Sequence, residues 1–193
     1  MKNYMLTISY DGSRYNGWQR QKSSDNTIQG KIENVLSLMA LRRVEINGSG
    51  RTDAGVHALG QTANFKLDTE MDKSEILDYL NKYLPDDVAV LRIDEVPERF
   101  HSRLCARSKT YMYRIQNSPV SNVFERKYMY KYPDKLDIDK MRLAADAMLG
   151  KRDFLGFSSL KKSKKSTVRT VFGIDVERLG DEIRIYYRAD GFL

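Results

Sequence analysis

The stretch "GSGRTDAGVHALGQ", residues 48–61, sets one carboxylate, Asp53, in a run crowded with glycine, with Arg51 two positions ahead of it. No sequence-adjacent carboxylate is there to share a metal ion. Two chemistries fit a lone aspartate in such a place. In the first, the run is a strand-to-strand turn in which Asp53 pairs with Arg51 or caps backbone amides. In the second, an ionised carboxylate held by a tight turn beside a cation attacks an electrophilic carbon, as the nucleophile of a retaining glycosidase does. Arg51 would then contact a phosphate, and the glycines would let the backbone approach the substrate closely. The run is not a Walker-type phosphate loop, because no Lys-Ser or Lys-Thr follows its last glycine. Nor is it a dinucleotide fingerprint, since the glycine spacing differs and no helical periodicity follows.

A second group lies in "ARSKTYMYRI", where Tyr111 and Tyr113 are interleaved with Arg107, Lys109 and Arg114. On a strand, tyrosines usually pack in or beside the core. Interleaved with cations, a tyrosine can also stack on a base or accept a proton. Trp18, in "NGWQRQ", reads as a packing anchor for its loop, with stacking as the alternative. His57 and His101 are the only histidines and Cys105 the only cysteine, too few for a metal site. No nucleophile-elbow pattern supports a Ser-His-Asp hydrolase. The run "KKSKKSTVR" reads either as a solvated loop or as a loop tracking phosphates.

These groups sit in a chain of 193 residues, 41% hydrophobic and 31% charged, which suits a soluble globular protein. Lys and Arg number 33 against 26 Asp and Glu, and the resulting charge of +7 points toward a polyanion. A single cysteine allows no internal disulfide and predicts a reducing compartment. The polar–apolar alternation at the start differs from a signal peptide, and no run approaches the roughly 18–20 apolar residues of a membrane span. The expected setting is the cytoplasm.

Periodicity supplies the elements that must position the groups. Tyr4, Leu6, Ile8 and Tyr10 alternate as a strand ended by Asp11-Gly12. A helix begins at Asn26 or Thr27 and runs through Met39, with apolar residues at helical spacing. Val44 and Ile46 suggest a strand into the glycine run, and "GQTANFKL" one out of it. Asp72 and Glu75 form a capping-box start for a helix stopped by Pro85. Strands follow at 88–93 and 108–115, then a helix from about 139 to 149 capped by Gly150, then two strands around 179–182. The order predicts an α+β architecture with a largely antiparallel sheet in two related halves.

Taken together, "YDGSRYNGWQRQ", "TIQGKIENVL", "GSGRTDAGVHALGQ", "RFHSRLCARSKTYMYRI", "STVRTV" and "RADGFL" resemble the tRNA pseudouridine synthase A family over nearly the whole chain, in the family's order. The resemblance implies the pseudouridine synthase fold, a mixed, mostly antiparallel sheet whose two pseudo-symmetric halves flank a cleft. The halves would fall at residues 1–100, carrying the catalytic loop, and 101–193, as one continuous catalytic unit. It also implies an isomerase that converts uridine to pseudouridine at positions 38, 39 and 40 of the tRNA anticodon arm, with no cofactor and no metal. Members act as homodimers that grip one tRNA. Asp53 matches the family's nucleophile, Arg51 the arginine that expels the target base and fills its gap, and Tyr111 the active-site tyrosine. The residues expected to contact RNA are Arg14, Gln19, Arg20 and His57 near the catalytic loop, then Arg103, Arg107, Lys109 and Arg114. Lys161, Lys162, Lys164, Lys165 and Arg169 complete that set.

In the family, residues beyond "GFL" complete the second half. A chain that stops at Leu193, in apolar residues, is therefore expected to lack a C-terminal segment, with its second half incomplete. The alternative this raises is a catalytically silent RNA-binding module using the same surface. A glycosidase acting on free nucleosides lacks a second carboxylate placed as the acid.

Overall fold

A computed structural model describes residues 1–22, 24–158 and 166–193 of the chain. The chain separates into two compact units, Met1–Ala106 and Arg107–Leu193, each with its own sheet.

In the first unit the opening alternation forms strand β1 (Lys2–Tyr10), with Tyr4, Leu6, Ile8 and Tyr10 all buried. Thr27 holds the backbone extended and its hydroxyl accepts the N–H of Gly30 at 3.2 Å, which starts helix α1 (Ile28–Ala40). Ile28, Ile32, Val35 and Leu36 recur at helical spacing and cover one face of the sheet. Strands β2 (Ile46–Gly48) and β3 (Ala58–Leu67), helix α2 (Lys73–Tyr83) and strand β4 (Val88–Val96) follow. Helix α2 opens with the predicted capping box: the Asp72 carboxylate accepts the Glu75 N–H at 2.9 Å, and the Glu75 carboxylate accepts the Asp72 N–H at 2.7 Å.

The strands lie in the order β2-β3-β1-β4, antiparallel throughout. A bulge sets the register of β4: Thr7 pairs with Arg92 but Ile8 with Val90, leaving Leu91 as the extra residue. Val90 and Ile93 are an odd number of positions apart and would face opposite ways on a regular strand. The bulge returns both to the buried face, where they join Leu6 and Ile8.

The second unit comprises β5 (Lys109–Gln116), β6 (Tyr130–Lys131), α3 (Ile138–Asp146), β7 (Gly150–Asp153), β8 (Val168–Leu179) and β9 (Glu182–Ala189). The sheet order is β6-β5-β9-β8-β7, antiparallel except for the parallel β5/β6 pair. Leu179 pairs with Glu182, so Gly180 and Asp181 make a two-residue hairpin with φ of +62° at Gly180. The core is small: Ile115, Val176, Ile183 and Ile185 pack with Ile138 and Met141 around α3.

Helix α3 differs from its sequence reading at both ends. Asp137 caps it, and it stops at Asp146 because Met148 and Leu149 bond back only three residues, to Ala145 and Asp146. Gly150, with φ of +83°, opens β7 and is not a helix cap. Strand β2 likewise begins two residues later than its apolar pattern suggests. The architecture is the expected α+β class with mixed, mostly antiparallel sheets. Among the described residues no helix is long and apolar enough to cross a membrane.

Candidate active site

The residues around Asp53 form a loop between β2 and β3. Its base is closed by the Ser49 N–H, which donates to the Thr62 carbonyl at 2.8 Å, and by the Gln61 amide, which donates to the Gly50 carbonyl at 2.7 Å. Its tip is a tight turn: the Val56 N–H donates to the Asp53 carbonyl at 3.2 Å, with Gly55 at φ of +79°. Arg51 and Asp53 are both exposed. Among the described residues, neither side chain has an ion-pair or hydrogen-bond partner, so the pairing of Asp53 with Arg51 weighed from sequence is not formed.

The back of this loop rests on a strap, residues 11–20, in the connection from β1 to α1. Main chain and glycine make much of the contact. The Trp18 N–H donates to the Thr52 carbonyl at 3.0 Å. A β-carbon on Gly12 would stand 2.0 Å from the Val56 carbonyl oxygen, and one on Gly17 would stand 2.6 Å from that of Thr52. Gly17 also has φ of +89°, a conformation that other residues rarely adopt. The strap is held in turn by α1, whose first amides, on Ile28 and Gln29, donate to the Gly17 and Trp18 carbonyls at 3.2 and 3.0 Å. Trp18 is 2% exposed, with its ring 6.0 Å from that of Tyr10, and so serves as a packing anchor. The Tyr10 hydroxyl lies 2.8 Å from Thr52 Oγ1.

The far side of the strap is tied to Asp87. Its carboxylate accepts from Arg14 Nε at 2.9 Å and from the Tyr15 hydroxyl, and its carbonyl accepts the Asp11 N–H at 2.9 Å. Burial pushes the Asp87 carboxyl upward, but the bonds from Tyr15 and Arg14 outweigh it and hold the group below its usual range. Tyr15 moves the other way, raised by burial and then by its bond to Asp87.

The other residues singled out from sequence are placed as follows. Arg20 reaches the buried carboxylate of Glu33 at 3.1 Å, and the Gln19 amide donates to Gln29 at 2.9 Å. His57 Nδ1 lies 3.1 Å from the amide nitrogen of Gly12 and 3.0 Å from Asp11 Oδ1. Arg103 is exposed at the end of the first unit, its amide donating to His101 Nδ1 at 3.2 Å. In the second unit Arg107 is exposed and Lys109 is half-buried at the start of β5. Tyr111 pairs with Tyr187 across the sheet, and its ring meets that of Phe192 edge-on at 4.8 Å. Arg114 lies between Glu182, at 2.6 Å, and Glu125, at 2.9 Å. Arg169 donates to the carbonyls of Ser166 and Val168 at 2.9 and 2.7 Å. Lys161, Lys162, Lys164 and Lys165 lie outside the described residues. Among the described residues no group of three or more His, Cys, Asp or Glu comes together as a metal site.

Sequence reasoning missed the supports of the loop: Tyr10, Gly12, Gly17, Gly48 and Thr52. Two glycines inside an otherwise polar strap were the available signal. They mark close backbone approach, although not what is approached.

A family model described as tRNA pseudouridine synthase matches residues 6–103 and 144–193, which includes the strap and the whole Asp53 loop but not Tyr111. Across all 193 residues the chain is 50% identical to tRNA pseudouridine synthase A of a Bacillus species, strain KSM-64, and covers 79% of that protein. It is 47% identical to tRNA pseudouridine synthase A 2 of Bacillus cereus, again over the full chain and 79% of the relative. The corresponding protein of Clostridium tetani is 41% identical, with 78% of its length covered. A glycine-built loop and strap matched from end to end, within such extended identity, place this chain in the tRNA pseudouridine synthase family, a family of isomerases.

Proposed function

We propose that this protein isomerises uridine to pseudouridine at positions 38, 39 and 40 of the tRNA anticodon arm, with Asp53 as nucleophile. The observation that carries this reading is an exposed carboxylate on a turn whose back is fixed by main-chain contacts to the strap. A reactive group held on a rigid support meets its target at little orientational cost.

The reaction breaks the C1′–N1 bond of uridine and makes a C1′–C5 bond to the same base; C5 gives up a proton and N1 gains one. The target base must first leave the stack, which costs a few kcal/mol. Arg51, exposed two residues from Asp53, expels the base and occupies its gap. Asp53 then opens the glycosidic bond by one of two routes: attack on C1′, or removal of the C2′ proton to give a glycal. The freed uracil turns within the site and rebonds through C5, which in the first route displaces the Asp53 carboxylate from C1′ and in the second is accompanied by return of the proton from Asp53 to C2′. Tyr111 stacks on the ring and takes the C5 proton. Excluding water keeps the intermediate from hydrolysis.

The exposed cations Arg103 and Arg107 serve the phosphates, together with Lys109. Arg14, Arg20 and Arg114 are engaged by carboxylates and contribute positive potential from fixed positions. The same reading includes a cytoplasmic homodimer as the working form.

The test is tritium release from tRNA labelled at uridine C5, with the parent chain and with Asp53→Asn. Release by the parent and none by the variant, at tRNA affinities within about twofold, is the expected result. Release by Asp53→Asn would remove the nucleophile assignment. Binding without release by the parent would favour an RNA-binding module.

A further inference from the structure

We propose that Tyr10 is a positioning residue for Asp53, acting through the hydroxyl of Thr52; this rests on the reading of Asp53 as nucleophile. Tyr10 ends β1, the strand flanked on both sides by β3 and β4, and it pairs with Ala58 on one side and Val88 on the other. Its ring is buried at 4% exposure beside Trp18. A phenylalanine would fill that site as well, and a buried hydroxyl is a burden unless it finds a partner. Thr52 Oγ1, 2.8 Å away on the residue immediately before Asp53, is such a partner.

Thr52 is constrained on two further sides. Its carbonyl accepts the Trp18 N–H at 3.0 Å, and Gly17 packs against that same oxygen. A β-branched side chain has few χ1 states, so fixing Oγ1 also fixes the backbone that carries it. The Tyr10 hydroxyl thus ties the Asp53 turn to the middle of the sheet. Without it the turn swings about Trp18, and its bond from the Val56 N–H to the Asp53 carbonyl opens more readily. Displacement of a reacting group by about 1 Å can cost on the order of 100-fold in rate, so a partial loosening should be read in kcat.

The experiment compares Tyr10→Phe, Thr52→Val, Thr52→Ser and the double variant Tyr10→Phe/Thr52→Val with the parent chain and Asp53→Asn. Steady-state turnover on tRNA and amide hydrogen exchange at Val56 are both measured. The expected result is a roughly tenfold lower kcat for Tyr10→Phe and for Thr52→Val, with KM within about twofold. The double variant should be no slower than either single change, because both remove one contact. Thr52→Ser, which keeps the hydroxyl, should restore most of kcat. Val56 exchange should quicken in Tyr10→Phe and Thr52→Val but not in Thr52→Ser.

If Tyr10→Phe turns over like the parent while Asp53→Asn is silent, the positioning role is overturned and the nucleophile reading stands. Losses that add in the double variant overturn the shared contact. Turnover by Asp53→Asn overturns the nucleophile reading and this inference with it. Unchanged Val56 protection in Tyr10→Phe overturns the strut whatever the turnover.

Discussion

The indole of Trp18 lies so close over Gly48 that a β-carbon on the glycine would stand 2.5 Å from Nε1 and 2.6 Å from Cε2. Through this contact the strap reaches the base of the Asp53 loop, just as Gly17 reaches its tip. The buried ring has no room to withdraw.

Glycine substitutions should therefore rank by what they meet. Gly48→Ala forces the ring off its seat and should cost about 1–3 kcal/mol, the range for overpacking. Gly17→Ala meets a backbone oxygen at 2.6 Å with φ of +89°, adds conformational strain to the clash, and should cost more. Gly55→Ala has open space around it and should cost only the strain of its φ, about 1–2 kcal/mol. Urea denaturation of the three variants checks the order.

Glu33 is 2% exposed, yet its carboxylate is fully engaged. Oε1 accepts the Ile46 N–H at 3.0 Å and the Gln29 amide at 2.8 Å, and Oε2 accepts Arg20 at 3.1 Å. Glu33→Ala strands the buried Ile46 N–H and leaves Arg20 only its longer pair with Asp25, at 3.9 Å, and should destabilise by about 3 kcal/mol. Glu33→Gln retains an acceptor and should lose roughly half as much. Thermal and urea unfolding of both variants measure the difference.

In the second unit, the Glu182 carboxyl is brought down to about 2 by hydrogen bonds from Arg114 and then Arg184. Its pKa is lower folded than unfolded, so the stability it confers is present above the ordinary carboxylate value of 4.5 and is lost as pH falls toward about 2. Urea midpoints of the parent should drop across that window. In Glu182→Gln the part of the slope due to this group should vanish, and the variant should already be less stable at pH 7.

Binding to tRNA should weaken steeply with salt, since each phosphate contact releases counterions. Arg103→Ala should reduce the slope of log affinity against log salt by about 1 and leave any sequence preference unchanged. Fluorescence titrations at several salt concentrations read the slope directly. A slope equal to that of the parent would remove Arg103 from the phosphate contacts.

Much of the first unit was legible because its signals are local. The alternation in β1, the Thr27 cap and the Asp72–Glu75 box each lie within a few residues of what they determine. The end of α3 was misread because Gly150 resembles a helix cap, while the bonds that stop the helix are made by Met148 and Leu149. The Arg114 cluster was invisible for a different reason. One of its carboxylates is 11 residues away and the other 68, so a cation that reads as free in its local run is enclosed in the fold. Types and spacing singled out the Asp53 loop while leaving its role open, and its support comes from glycines at 12 and 17 whose partners, Val56 and Thr52, lie about 40 residues along the chain.

The strap lies between α1 and the Asp53 loop, accepting hydrogen bonds from the helix and donating others to the loop. This arrangement has a consequence for the order of events during folding. Residues 48–57 can close their turn locally, but they reach their final geometry only once the helix has docked and drawn the strap into place. A partly folded chain with its sheet formed and α1 still detached would carry Arg51 and Asp53 on a turn without its support. Conversely, a substrate gripping the loop would slow the helix's departure, so occupancy at Asp53 should register as hydrogen-exchange protection in the first turn of α1.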